Sequence, residues 1–322
     1  MNPLAPNPPP LFDVRLRSIV WTSLDVSLFE FASIRGGALP AASAGSHIDV
    51  VIPNGEIRQY SVLRTGSLGD SFWIAVKREP ESRGGSAWLH EQARVGQMFQ
   101  ISAPRNLFPL DETAAHSLLV AGGIGITPIL AMAEQLDRLG LSWEMHYSCR
   151  SRDHAPLLDA LAPFGDRVRL RFDDEHPGTF LDLEGLIAAA PPASHFYCCG
   201  PKPMLAAYEA AASHLPQDRV HLEYFSAKQE AAIDGGFIVE LSRSGKELFV
   251  PPGKTILEVV GEAGVRVSHS CQEGVCGSCE TGVISGRPDH RDSVLSTGER
   301  ERGDVMMICC SGSLGERLVL DL

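Results

Sequence analysis

Residues 117–140 read SLLVAGGIGITPILAMAEQLDRLG. Ser117 to Ala121 is an apolar run of strand length, and Gly122, Gly123 and Gly125 follow it as a tight turn. Beyond the turn, Ile129, Met132, Ala133, Leu136 and Leu139 recur at helical spacing. Thr127 is the expected N-cap, Pro128 fits the first helical position, and Gly140 fits the stop. A strand that turns on glycines into a helix lets a dinucleotide approach the backbone and offers its pyrophosphate free N–H groups. Pro128 stands where the third glycine of a full G-x-G-x-x-G would be, so the turn alone does not decide the ligand.

The alternation continues downstream. Strands are expected at Trp143 to Ser148, Val168 to Phe172, His195 to Cys199 and Val220 to Phe225, with helical segments between them. This pattern predicts a doubly wound parallel sheet over residues 106–226. Cys199-Gly200-Pro201 forms a second turn at the carboxyl end of a strand, where open sheets of this type bind ligands.

Upstream, the texture is different. Val14 to Trp21, Val26 to Ala32, His47 to Ile52, Gln59 to Leu63, Phe72 to Val76 and Met98 to Ile101 are short, with turn signals between them. Six such strands predict a small β-barrel over residues 1–105. One carries Arg58-Gln59-Tyr60-Ser61, in which an aromatic ring could cover a flavin and an arginine and a hydroxyl could hold phosphate or ring oxygens. Tyr60 could equally be barrel core. Lys77 ends the strand Ala75-Val76-Lys77, and Arg83-Gly84-Gly85-Ser86 precedes a helical stretch, a ready phosphate site.

Ser226 to Gly236 is polar and small and reads as a linker, with 227–236 separating the nucleotide domain from residues 237–322. That last segment predicts a small mixed α+β domain: strands at Phe237 to Leu241 and Glu247 to Val250, then a short helix around Ile256 to Glu262. Five of the eight cysteines follow, within the last 52 residues. Cys271-x4-Cys276-x2-Cys279, with Cys309 after 29 intervening residues, has the spacing of a plant-type 2Fe–2S centre, which takes four thiolates. A structural zinc site usually has C-x2-C pairs on both sides, and only one such pair is present. Cys309 and Cys310 are adjacent and point to opposite faces of an extended chain, so only one can reach the cluster.

The bulk composition excludes other classes. The 322 residues carry a net charge of −12, which disfavours phosphate-backbone binding and makes nucleic acid an unlikely partner on electrostatic grounds. No apolar run approaches the roughly 20 residues that span a bilayer, and the proline-rich start has no signal-peptide pattern. A cytoplasmic, monomeric protein with no membrane partner is the expectation. Residues 229–322 hold 15 Asp and Glu against 9 Lys and Arg, a charge suited to a partner with a basic docking patch.

The order RQYS, the lysine strand, RGGS, GGIGITP, CCGP and the C-terminal cysteines resembles the phthalate dioxygenase reductase family over nearly the whole chain. The resemblance implies an FMN-binding β-barrel, an NADH-binding α/β domain and a β-grasp plant-type ferredoxin. Its implied activity is electron transfer from NADH through FMN and a 2Fe–2S cluster to a Rieske-type terminal oxygenase. It implies FMN contacts at Arg58, Gln59, Tyr60, Ser61, Ala75, Val76, Lys77, Gly84, Gly85 and Ser86. Thr127 would lie near the flavin's reactive face and Phe225, closing the last strand, against its ring. Gly123, Gly125, Arg150, Cys199, Gly200 and Pro201 would form the nicotinamide nucleotide site, with Asp173 or Asp174 opposing a 2′-phosphate. It favours Cys309 as the fourth ligand beside Cys271, Cys276 and Cys279.

Overall fold

The computed structural model describes residues 10–80 and 84–322, so Arg83 of the expected RGGS turn lies outside them. The chain forms two compact units, Pro10–Glu223 and Tyr224–Leu322.

The first unit opens with strands β1 (Leu11–Ser23), β2 (Val26–Ser33), β3 (Ser46–Val51), β4 (Ile57–Ser61), β5 (Arg64–Thr65) and β6 (Ser71–Lys77). Helix α1 (Gly85–Glu91) and strands β7 (Met98–Ser102) and β8 (Arg105–Asn106) follow. They form one sheet in the order β4-β3-β7-β1-β2-β6-β5, with β8 added to β3. The segment expected as a strand to Leu63 ends at Ser61, for a topological reason. Val62 donates its N–H to the Ser46 carbonyl of β3, and Leu63 donates to the Trp73 carbonyl of β6, so consecutive residues tie together strands near opposite ends of the sheet. Alternate residues such as Val14, Leu16, Phe29, Phe31, Ile48 and Val50 fill the interior.

The same unit continues with β9 (Ser117–Gly122), α2 (Ile126–Arg138), β10 (Trp143–Cys149), α3 (Leu158–Leu161) and β11 (Val168–Phe172). Then come α4 (Leu183–Ala189), β12 (His195–Cys199), α5 (Lys202–Ala211) and β13 (Val220–Glu223). All five strands are parallel, in the order β11-β10-β9-β12-β13. The chain order therefore reverses between β9 and β12, and a ligand crevice opens at such a switch point.

Two local expectations are corrected here. A single 3₁₀ turn, Gly123–Gly125, leads into α2, so Gly125 is the cap residue and Thr127 lies within the first turn. The last strand ends at Glu223, leaving Phe225 two residues beyond it and 42% exposed rather than closing the strand.

The second unit contains β14 (Phe237–Leu241), β15 (Lys246–Val250), α6 (Ile256–Glu262), β16 (Glu280–Ser285) and β17 (Pro288–Asp289). It ends with α7 (Thr297–Arg302), β18 (Val305–Met307), β19 (Gly312–Ser313) and β20 (Arg317–Leu320). The mixed sheet runs β15-β14-β20-β16-β18, and β17 pairs with β19. A capping box between Thr255 and Glu258 starts α6, and α6 packs Ile256, Val259 and Val260 onto the sheet. The polar segment before β14 has no regular structure, yet it is not a free spacer. Ala232 donates its N–H to the Cys310 carbonyl at 2.8 Å. No helix among the described residues is long and apolar enough to cross a membrane.

Candidate redox site

The crevice between β9 and β12 is lined by two glycine turns in close contact. A Cβ at Gly125 would lie 2.2 Å from the Cys199 carbonyl oxygen and 2.8 Å from the Gly200 nitrogen. One at Gly122 would lie 2.6 Å from Pro201 Cδ. The GGIG and CGP turns thus pack closely, and a side chain at Gly122 or Gly125 would wedge them apart. Tyr147 on β10 supports the first turn by donating its hydroxyl to the Gly123 carbonyl at 3.2 Å. Asp173 and Asp174 donate their N–H groups to the carbonyls of Cys149 and Arg150, which brings this acidic pair beside Arg150. Arg152 is held by Glu175 at 2.9 Å and covers the Phe172 ring.

Thr127 and Cys199, one on each side of these packed turns, are both buried. Thr127 donates its hydroxyl to the Ile124 carbonyl at 3.1 Å. Burial holds the Cys199 thiol well above its ordinary pKa, with Glu223 and Cys198 acting in the same direction. It is therefore a neutral thiol near pH 7, not an ionised nucleophile. Cys149 and Cys198 are buried as expected of small apolar side chains.

Glu223 belongs to none of the motifs that the sequence displays. The β12–β13 ladder sets it directly beside Cys199. Its Oε2 is buried without a hydrogen-bond partner among the described residues, and burial raises its pKa to about 8. The one signal in the sequence is an acidic residue inside an otherwise apolar and aromatic strand end, Leu222-Glu223-Tyr224-Phe225.

On the barrel, β4 alternates its side chains. Arg58 and Tyr60 share one face, while Gln59 and Ser61 share the other. Gln59 donates to Asp49 at 2.8 Å, and Asp49 also takes two bonds from Arg105 at 2.9 and 2.8 Å. The Gln59 side chain is thus committed to a structural network. The sequence-predicted ligand residues around Arg58 do converge. A Cβ at Gly85 would lie 2.6 Å from Arg58 Cγ, so the start of α1 rests on the arginine stem. Arg58 Nη1 pairs with Glu56 at 2.6 Å, whereas its Nη2 is buried and unpartnered among the described residues, as is Ser61 Oγ. Burial pushes the Tyr60 hydroxyl up against the opposing pull of Arg58. Lys77 and Ser86 meet at Glu79, which pairs with the ammonium at 2.8 Å and donates its N–H to the hydroxyl at 3.2 Å. The orphaned Arg58 Nη2 beside a glycine-lined helix start fits an anionic, polar-edged flavin.

In the second unit, Cys271, Cys276, Cys279 and Cys309 are all buried. Cys271 Sγ accepts the N–H groups of Glu273 at 3.3 Å and Val275 at 3.5 Å, and Cys276 Sγ accepts that of Cys271 at 3.5 Å. Cys271, Cys279 and Cys310 all act to hold the Cys309 thiol well below its ordinary pKa, so the Cys309 sulfur sits among both ligand-bearing cysteines and its own neighbour. Cys310 also faces the Met307 carbonyl and the Ser311 hydroxyl, and its sulfur lies against Gly274. No group of three or more His, Cys, Asp or Glu among the described residues is arranged for a single metal ion. Four buried thiols, two of which already accept N–H groups, fit a two-iron cluster, whose thiolates carry negative charge.

Residues 239–312 match the family described as the 2Fe-2S iron-sulfur cluster binding domain. The whole chain resembles the phenoxybenzoate dioxygenase subunit beta of Ectopseudomonas oleovorans, with 52% identity over 96% of this chain and 97% of the relative. It also resembles the tetrachlorobenzoquinone reductase of Sphingobium chlorophenolicum, at 46% identity over 98% of this chain and 99% of the relative. The solved structure of phthalate dioxygenase reductase, described as a modular structure for electron transfer from pyridine nucleotides to [2Fe-2S], superposes with a TM-score of 0.74. Its identity is 38%, covering 97% of this chain and 98% of that one. The protein is an oxidoreductase that fuses a flavin-type barrel and a nicotinamide-nucleotide fold to a plant-type ferredoxin. It belongs to the phthalate dioxygenase reductase family of oxygenase reductase components.

Proposed function

We propose that the chain is the NADH-dependent reductase of a Rieske-type oxygenase system, with FMN on residues 1–105, NADH on 106–226, a linker at 227–236 and a 2Fe–2S cluster on 237–322. The observation that carries this reading is the buried set Cys271, Cys276, Cys279 and Cys309 in a chain that also carries two closely packed glycine turns at a sheet switch point. When bound, flavin and cluster together convert the electron pair of a hydride into single electrons. The chain's own part is binding, alignment and proton handling. Arg58, Lys77 and Ser86 would hold the FMN phosphate, each cation exchanging an exposed glutamate for it. Tyr60 and the main chain of Gln59, Ala75, Val76 and Gly84 would line the ring and its side chain. Gly123, Gly125, Gly200 and Pro201 would let the nucleotide's pyrophosphate approach the backbone. Arg150 with Asp173 would read its adenosine end.

Thr127 and Cys199 would face the nicotinamide and the flavin, and Phe225 would serve as an aromatic cover for the ring. Glu223 Oε2 holds a proton near neutrality and is the group placed to exchange it at the Cys199 side of the crevice. The monomer would work in the cytoplasm and deliver electrons from its acidic C-terminal segment to the oxygenase. Chromatography of the released flavin should give FMN, and FAD would refute the barrel assignment. Salt should slow transfer to the oxygenase while leaving flavin reduction by NADH nearly unchanged; a salt-independent transfer rate would reject electrostatic docking. The likeness to tetrachlorobenzoquinone reductase supports a second reading, with a quinone as acceptor. Turnover with a chlorinated quinone that exceeds turnover with every Rieske oxygenase tested would favour it.

A further inference from the structure

Between Cys279 and Cys309 the chain makes a turn centred on Asp292, which is 1% exposed. Its Oδ2 accepts the N–H groups of Val294 at 3.0 Å and Leu295 at 2.8 Å. Arg300 Nη2 lies 3.6 Å from the same oxygen and donates to the Asp292 carbonyl at 2.5 Å. Oδ1 has no hydrogen-bond partner among the described residues; His290 Nδ1 is 3.9 Å away, and both nitrogens of that ring are likewise unpartnered. An asparagine could accept the same two N–H bonds without the cost of burying a charge. The charge therefore calls for a role beyond shaping the turn.

The turn rests on both ligand-bearing segments. Gly274, between Cys271 and Cys276, has a φ of +70°, and a Cβ there would lie 2.5 Å from Cys310 Sγ and 2.9 Å from Asp292 Cα. Ser293 donates its N–H to the Gly274 carbonyl at 2.9 Å, and Arg291 donates to the Ser311 hydroxyl at 3.2 Å. Leu295 belongs to the same core as Cys279 and Cys309.

We infer that Asp292 is a positioning residue that clamps the cysteine loop to the Cys309 segment and sets the cluster's reduction potential, with Arg300 as its counterweight. This rests on reading the four thiols as cluster ligands. Reduction adds one negative charge to the cluster, and a buried negative neighbour opposes that addition more strongly than an exposed one. The guanidinium of Arg300 offsets the effect in part.

The test is the midpoint potential of the full chain with its cluster, followed by EPR during redox titration in wild type, Asp292→Asn and Arg300→Gln. The midpoint should rise in Asp292→Asn and fall in Arg300→Gln, with the visible bands retained. Shifts in the same direction, or none in either variant, would overturn the inference, since a merely structural turn has no reason to respond with opposite signs. If Asp292→Asn does not take up the cluster, Arg300→Gln decides alone: a fall supports the inference and an unmoved midpoint overturns it. A wild-type protein without 2Fe–2S bands would instead sink the ligand assignment itself.

Discussion

Gly125→Ala tests the two-turn crevice directly. The added methyl would lie 2.2 Å from the Cys199 carbonyl oxygen, whereas ordinary contact begins at 3.4 Å, so the two turns must part by about 1.2 Å. Both contacting atoms are backbone, and neither can swing away as a side-chain tip could. Overpacking of this kind costs about 1–3 kcal/mol, or a melting shift of roughly 2–4 °C per kcal/mol for a unit of this size. The functional loss should be larger. A misplacement of about 1 Å between reacting groups can cost on the order of 100-fold, equivalent to about 2.7 kcal/mol in kcat/KM for NADH. The assay is stopped-flow reduction of the flavin by NADH across substrate concentrations, with a thermal melt of the same protein. Gly123→Ala is the control: its φ of +54° carries a strain of about 1–2 kcal/mol, but nothing lies within 4 Å of the added carbon. It should lower stability and leave the turns together, and it serves as the control for the melt alone, because Gly123 is itself assigned to the nucleotide site. If Gly125→Ala reduces its flavin as fast as wild type, the close approach of the two turns is not what shapes the nucleotide site.

Cys309→Ser should abolish or badly alter the visible bands of the cluster and Cys310→Ser should keep them; the reverse outcome would move the fourth ligand by one residue. Glu223→Gln should flatten the pH dependence of stability. The folded protein keeps this proton to about pH 8 while the unfolded chain releases it near 4.5, so the wild-type contribution is present below the unfolded pKa and is lost as pH rises toward 8. Denaturant melts of wild type and variant, compared between about pH 5 and pH 8, should differ by a few kcal/mol in that sense. The comparison cancels His221, whose pKa burial lowers to about 4. An unchanged difference would mean that the carboxyl is not held protonated. Arg58→Ala should weaken FMN binding about 10- to 100-fold, the loss of one charged hydrogen bond of roughly 1.5–3 kcal/mol, as read by recovery of flavin fluorescence. Equal affinity would remove Arg58 from the phosphate site.

Features encoded within a few residues are legible in the amino-acid sequence itself. The cysteine spacing, the strand–glycine–helix passage at 117–140 and helix α6 depend on local chemistry: ligand number, backbone freedom and the capping pair Thr255 and Glu258. The expected Thr127 cap fails because a 3₁₀ turn starts the helix two residues earlier, a choice imposed by packing Gly125 on Cys199. Other facts exist only across ladders and turns that join distant residues. β12–β13 register alone puts Glu223 beside Cys199, and β3–β4 register turns Gln59 toward Asp49. Asp292 reads in sequence as one more acid in a polar stretch; in the fold its turn packs against Gly274 and it is buried. Side-chain chemistry is written in the chain, but the desolvation and neighbours that decide whether a carboxylate is surface charge, proton holder or clamp arise only when remote segments meet.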